Sequence, residues 1–532
     1  MPFIILFFLF ASTFYVQAQA QFTQSNLPIV IIDTKGEDIQ DDPKIKAEMK
    51  IIYNGPGKTN HISDEANEYN GFVGVEFRGS TSQTFPKKPY GIETWDADGE
   101  DNDVTLLGMP EESDWTLNAT YNDKSLMRDG MAYILAGEIM TYAPRVRYVE
   151  MVLNNEYQGV YMIIEKIKRD KNRVDIKKME ATDNTGDKLT GGYIIKLDKE
   201  TGTNSGEGWH SDYKPFEGAW QSVFYQHEYP KNKDITTEQR DYIRQYIHQF
   251  ENTMFSDIFA DPLLGYATYI DVESLIDFII INELTKNPDA YRLSTFLYKK
   301  RDSEGGKLYF GPVWDFNLGF GNVDYCTLSN PEGLVIEDFN EVCSDDYWVV
   351  HFWWKKFLSD PVFVQKLKDR WQYLRRTTLD YSGIENKIDS ISLMLKDAQV
   401  RNFMRWPVLG EYIWPNYFVG QTYEEEIDYL KDWIEGRLGW LDTKWGSPSS
   451  VKEWDQNGVV VFPNPGNRDF TARGVDANTR LSLHGITGDV LPVTFSFNNN
   501  EAVFSLNGYP AGTYILRMIT EKGPVARLIV KY

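Results

Sequence analysis

The chain has 532 residues, with 55 Lys and Arg against 78 Asp and Glu, for a formal net charge of −23. At roughly 100–200 residues per domain that length allows two to four domains, and ordinary proportions of apolar (42%) and charged (25%) residues exclude disorder over most of it. The acidity argues against a nucleic-acid partner, which needs a basic surface to displace counterions from phosphates, and six scattered His with two Cys leave little for a structural zinc site.

Residues 1–20 form a short apolar run ending in small residues at Ala18 and Ala20, the pattern of a secretory signal peptide cut after Ala20. No other stretch is long and apolar enough for a bilayer span, so no transmembrane helix is expected in the mature chain. Strands are predicted over 28–33 and 47–53, within a β-rich extension covering 21–70. Val73, Val75 and Phe77 alternate along 72–78, and Tyr90, Ile92 and Thr94 repeat the pattern after the polar loop 79–84. The two strands make a hairpin whose loop residues expose backbone amides. A helix is predicted over 123–140. A second hairpin joins 148–153 to 159–165 through Asn154-Asn155, residues suited to the φ > 0 positions of such turns. A further strand covers 192–197.

After about residue 237 the pattern turns helical, with apolar spacing over 237–250, 272–284 and 429–441. A β-rich part followed by an α-rich part predicts two lobes with a cleft between them, where binding sites concentrate. At that junction Asn287-Pro288-Asp289 follows an apolar helix and precedes the strand 295–298, and the strand 307–310 runs into Gly311-Pro312-Val313-Trp314-Asp315. Two carboxylates at the ends of neighbouring strands suit a divalent cation bound through oxygen, although Asn-Pro-Asp is also an ordinary turn. Cys326 and Cys343 are the only cysteines, and export favours one disulfide between them over two free thiols. The aromatic stretches 403–407 and 414–418 read either as core or as sugar-binding platforms.

Gly446-Ser447-Pro448-Ser449-Ser450 opens a linker, 446–457. Beyond it, short strands with turn residues between them predict a small all-β sandwich over 458–532. Val461-Phe462-Pro463-Asn464-Pro465, Pro510-Ala511-Gly512-Thr513-Tyr514 and the terminal Leu528-Ile529-Val530-Lys531 resemble the C-terminal sorting domain of type IX secretion cargo in Bacteroidetes-type bacteria. The resemblance implies a partner in the type IX machinery and delivery to the outer-membrane surface or the medium.

The body over 71–445 resembles the spore-coat-protein-H-like (CotH) kinase family, which is similar to atypical protein kinases. The segments carrying the likeness are Phe77-Arg78-Gly79-Ser80 through Lys87-Lys88-Pro89-Tyr90, then Asp114-Trp115-Thr116-Leu117, then Asp123 to Arg128. Gly159-Val160-Tyr161 with Glu165-Lys166-Ile167-Lys168, followed by Asp289 and Trp314-Asp315-Phe316, complete them. The fold expected is therefore α+β: a two-lobed atypical protein-kinase-like domain, β-rich then helical, followed by the sandwich. The resemblance implies transfer of the ATP γ-phosphate, with Mg²⁺ or Mn²⁺, to Ser or Thr of an exported protein. Asp289 would be the catalytic carboxylate and Asp315 the metal ligand, with Arg78 and Lys88 around the phosphates and Lys196 and Glu165 holding the nucleotide. Two departures stand out: Ser294 occupies the position where such kinases place a metal-binding Asn, and Asn317 stands where the family often has a second Asp. Both are weaker cation ligands than carboxylate. The competing reading is a catalytically silent surface protein acting in adhesion, matrix assembly or glycan binding; a hydrolase lacks any Gly-x-Ser-x-Gly or zinc signature.

Overall fold

The computed structural model describes residues 22–200, 206–447, 460–464, 466–476, 479–485, 490–520 and 523–532. The predicted signal peptide and all but the first two residues of the predicted linker lie outside them. The chain divides into two compact units after Ser447.

Seven strands of the first unit close into a barrel: β1 (Ile29–Asp33), β2 (Ile45–Ile52), β3 (Tyr69–Phe77), β4 (Tyr90–Trp95), β5 (Asp114–Asn118), β6 (Val146–Leu153) and β7 (Glu156–Glu165). Neighbours run antiparallel in the order β6-β7-β5-β4-β3-β2-β1, and a parallel pairing of β1 with β6 closes the ring. Residues 21–70 therefore supply staves of the barrel. Val30, Met49, Val73, Ile92, Leu117 and Ile163 fill its interior. The turn between β6 and β7 has φ of 50° at Asn154 and 66° at Asn155, as the Asn pair predicts.

Strand β7 explains how the barrel is attached. Its run Val160 to Ile164 is apolar at every position because both faces are covered. Tyr161 and Ile163 point into the barrel, whereas Val160, Met162 and Ile164 join the large core of the helical region. The first helix, α1 (Arg128–Ile139), joins that same core. The predicted start at Asp123 is too early: Asp123 accepts hydrogen bonds from the Ser125 (3.1 Å) and Arg128 (2.8 Å) amides, and Leu126 is left-handed at φ 60°, so 123–127 is a buried turn.

A second, antiparallel sheet holds β8 (Tyr193–Leu197), β9 (Gly208–His210), β10 (Phe224–Tyr229), β11 (Thr295–Lys299) and β12 (Leu308–Phe310), in the order β9-β10-β8-β11-β12. Around it lie α2 (Thr237–Phe255), α3 (Val272–Thr285), α4 (Val335–Val342), α5 (Phe352–Lys356), α6 (Pro361–Arg375), α7 (Tyr381–Arg405) and α8 (Tyr423–Trp445). Helix α8 begins six residues before its apolar stripe, because Thr422 caps it by accepting from the Glu425 amide. Helix α3 is buried almost all round, from Leu275 to Thr285, and forms the axis of this region. Cys326 and Cys343 are disulfide-bonded, the pairing expected over two free thiols.

Helix α7 ties the two regions together. Arg401 grips Glu150 of β6 at 2.8 and 2.5 Å, Asn402 accepts from the Val160 amide (3.1 Å) and from Lys87 (2.9 Å), and the Trp406 indole donates to the Gln158 carbonyl. Gly159 permits this approach: a Cβ there would stand 2.4 Å from Asn402 Oδ1.

The second unit has two four-stranded sheets. One runs Val460–Phe462, Asp469–Arg473, Glu501–Ser505, Phe495–Asn498; the other runs Val490–Leu491, Arg480–Gly485, Gly512–Thr520, Gly523–Lys531. Phe470, Ala472, Leu483, Phe504, Leu516 and Ile529 share one apolar cluster between them. The protein is thus mixed α+β, with a β-rich N-terminal part, a helical middle and an all-β C-terminal part.

Candidate active site

Between the barrel and the helical region lies a cleft of about 600 Å³. Its barrel side is the β3–β4 loop at Gly79, Ser80, Thr81 and Ser82; its far side carries Asp289, Arg292 and Asp315. A smaller recess continues from it beneath Arg78, Lys87 and Thr116, and both are walled by Asn122 and Asn317.

Asp289 owes its place to the end of α3. Lys286 takes the left-handed conformation (φ 45°) that stops the helix, and its ammonium donates to the carbonyls of Asn330 (2.7 Å) and Glu332. The next residue links two loops: the Asn287 side chain accepts from the Asp289 amide at 3.2 Å and donates to the Asp315 carbonyl at 2.9 Å. Arg292 then returns to Asp289 Oδ1 at 3.1 Å and to Asp346 at 3.3 Å. Burial pushes the Asp289 carboxyl above its ordinary range, while Arg292 and Lys199 pull against it.

Asp315 follows β12 in the left-handed region, φ 67°, a costly conformation for a residue with a Cβ. Burial raises its carboxyl well above the usual range, and the charges of Asp289 and Asp129 raise it further. Two carboxylates that repel one another across a cleft could hold a hard divalent cation through oxygen, with the remaining ligands supplied from elsewhere. Among the described residues no group of three His, Cys, Asp or Glu side chains would hold a metal unaided.

The remaining predicted residues divide. Arg78 sits over the Trp314 ring at 4.9 Å and donates to Thr116; burial lowers its pKa, opposed by Glu228. Lys196 pairs with Asp198 at 3.1 Å and Glu228 at 3.8 Å, and these two outweigh burial to keep its pKa raised. Lys88 donates to the Gln83 carbonyl at 2.5 Å, bracing the loop. Glu165 is fully buried against Arg145 (2.8 Å) and Tyr142 (3.2 Å) and is not part of the cleft wall. Ser294, left-handed at φ 46°, is likewise absent from it. The structure therefore brings Asp289 and Asp315 into one cleft with the loop following Arg78, places Arg78 on the adjoining recess, and leaves Lys88, Lys196, Glu165 and Ser294 outside both linings.

Several wall residues escape sequence reasoning. Asn122 immediately precedes the segment Asp123 to Arg128, and Asn287 and Arg292 flank Asp289 in one turn, so proximity in sequence was a usable signal for these. Lys199 and Trp348, whose ammonium and ring lie 4.8 Å apart, have no such signal. Trp414, half exposed and stacked on Tyr325, belongs to the cleft wall and not to the core.

The sequence model of the family described as "CotH kinase protein" matches residues 75–441. The inner spore coat protein H of Bacillus subtilis (strain 168) is 28% identical over 151 residues, which are 27% of this chain and 35% of that protein. Most of that relative's length lies outside the match. Among solved structures, the twitchin kinase region from C. elegans aligns with 93% of this chain and 98% of that one at 10% identity, with a TM-score of 0.12 that carries no argument.

Proposed function

The chain belongs to the CotH kinase protein family, and from that premise we propose that it is an exported protein kinase that moves the ATP γ-phosphate to a Ser or Thr hydroxyl of another exported or surface protein. The observation that carries this reading is the meeting of Asp289 and Asp315 in one cleft beneath the amide-rich loop 79–82. Asp289 accepts the proton of the attacking hydroxyl, a role suited to a carboxyl whose pKa is raised by burial. Asp315 holds Mg²⁺ or Mn²⁺ with Asn317 beside it; the ion, when bound, neutralises charge across the ATP phosphates. In this reading the backbone amides of 79–82 and Lys199, which line the cleft, and Arg78, which lines the adjoining recess, would take the phosphates. The barrel and helical region correspond, in this reading, to the two lobes of an atypical kinase.

Export rests on the apolar leader 1–20 and on the likeness of 458–532 to a type IX sorting domain. The Cys326–Cys343 disulfide supports an oxidising destination.

The test is transfer from γ-labelled ATP with Mg²⁺ or Mn²⁺, to a protein acceptor or to the chain itself, by wild type, Asp289→Ala and Asp315→Ala. Label incorporated by the wild type and lost in both variants supports the assignment. No label and no nucleotide binding would leave a silent family member that uses the fold for adhesion.

A further inference from the structure

The left-handed backbone of Asp315 needs an external cause, and three hydrogen bonds supply it. Asn287 donates to its carbonyl at 2.9 Å. The Asp315 amide donates to the Tyr133 hydroxyl at 3.1 Å. The next amide along, of Phe316, donates to Asp129 Oδ1 at 2.6 Å. Asp129 and Tyr133 stand one turn apart on α1, so a single face of that helix clasps both peptide groups around the Asp315 side chain.

The placement of Asp129 has no other evident purpose. It is 1% exposed, and its second oxygen accepts from the Asn118 side chain at 2.9 Å. No Lys or Arg pairs with it among the ion pairs of the described residues, although Arg128 beside it is paired with Asp123. Burying an unpaired acid next to another acid opposes folding. Such an arrangement is accounted for when the acid holds strained backbone in place. Rings complete the brace, with Tyr133 5.9 Å from Trp314 and 6.1 Å from Phe316.

We infer that Asp129 and Tyr133 are positioning residues that hold Asp315 in the left-handed geometry from which its carboxylate meets the divalent cation. The inference rests on the reading of Asp315 as the metal ligand and adds the device that aims it. Asp129 itself faces the Phe316 amide and not the ion. Outer residues that orient a metal ligand typically affect metal affinity by about 10- to 100-fold.

The test is Mn²⁺ binding by electron paramagnetic resonance, with and without a non-hydrolysable ATP analogue, on the full chain. The proteins compared are wild type, Asp129→Ala, Tyr133→Phe and Asp315→Ala, each with a thermal melt. Expected are a loss of affinity of about tenfold or more in Asp129→Ala, a smaller loss in Tyr133→Phe, and a changed Mn²⁺ spectrum in both. Should Asp129→Ala not fold, Tyr133→Phe, which removes one hydroxyl and leaves the rings packed, carries the test. Mn²⁺ binding that is lost in Asp315→Ala but within twofold of wild type in the folded Asp129 and Tyr133 variants overturns this inference alone. Absence of binding by wild type, or binding indifferent to Asp315→Ala, overturns the ligand reading and this inference with it.

Discussion

Asp315 is pushed towards protonation first by its own burial and next by the negative charge of Asp289, across the cleft that both line. The two residues come from different loops, one ending α3 and one following β12, and Asn287 bonds to both. The two carboxylates thus oppose one another, a repulsion that the proposed divalent cation would relieve.

In the proposed reaction, Arg292 tunes the pH at which Asp289 would serve as the base. Its guanidinium, 3.1 Å away, opposes the effect of burial. In Arg292→Gln that opposition is gone, so Asp289 keeps its proton to higher pH. The acid limb of the transfer rate should therefore move to higher pH, with activity reduced more at low pH than at high pH. A pH–rate profile checks this, and an unmoved acid limb would count against Asp289 as the base.

Arg437 of α8 secures the α3 end from which Asp289 hangs. It contacts Glu283 at 3.1 Å with both side chains fully buried, and donates to the carbonyls of Pro331 and Gly333 at 2.6 and 2.7 Å. Glu283 also accepts from the Val335 and Ile336 amides. Arg437→Met leaves that carboxylate buried and unpaired, which typically costs about 3–5 kcal/mol. Urea unfolding followed by tryptophan fluorescence should show it, and Glu283→Gln in the same chain should recover part of the loss.

His227 makes the fold acid-sensitive. It is 6% exposed against Trp209, and burial first, Arg240 second, lower its pKa to about 4. In the unfolded chain it titrates near pH 6.5. Between those values the unfolded state binds the proton and the folded state does not, so stability falls as pH drops from about 6.5 towards about 4. The loss amounts to about 3 kcal/mol. His227→Phe should flatten the pH dependence of the melting temperature in that window.

The disulfide closes a loop whose ends flank the cleft residues Tyr325 and Asp346. Replacing both cysteines with Ser should lower stability by about 3 kcal/mol for a loop of this size. It should also raise the KM for the protein acceptor more than that for ATP, because Tyr325 and Asp346 stand on the side of the cleft away from the 79–82 loop. Parallel titrations of the two substrates would distinguish the effects.

Local features were legible in the sequence wherever a residue type dictates its own geometry. Asn154-Asn155 announced a hairpin with 159–165 as its second strand, and the stripe from Leu430 to Leu441 the core of α8. Barrel closure was not, because the parallel pairing of Ile29–Ile32 with Glu150–Leu153 joins residues far apart in the chain. The start of α1 was misplaced because Asp123 caps a turn that helical periodicity does not register. At the site, strand-end position alone did not separate Asp289 and Asp315 from ordinary turn acids, and the family resemblance singled them out, whereas Asp129 and Tyr133 read as ordinary helix residues; what distinguishes these two is a bond to a loop almost two hundred positions later.

The grip of α7 on the barrel holds the barrel side of the cleft against the helical side. Swinging the barrel away would break the Arg401–Glu150 pair, both bonds to Asn402 and the Trp406 anchor at once. A jaw-like opening would therefore cost all of these contacts together. The exposed rim of the cleft is the loop at Ser80 and Thr81, where Gly79 has φ 91° and the Gln83 side chain donates to Asp41. Any widening of the cleft that keeps those α7 bonds falls to this loop, which a single side-chain bond ties to Asp41.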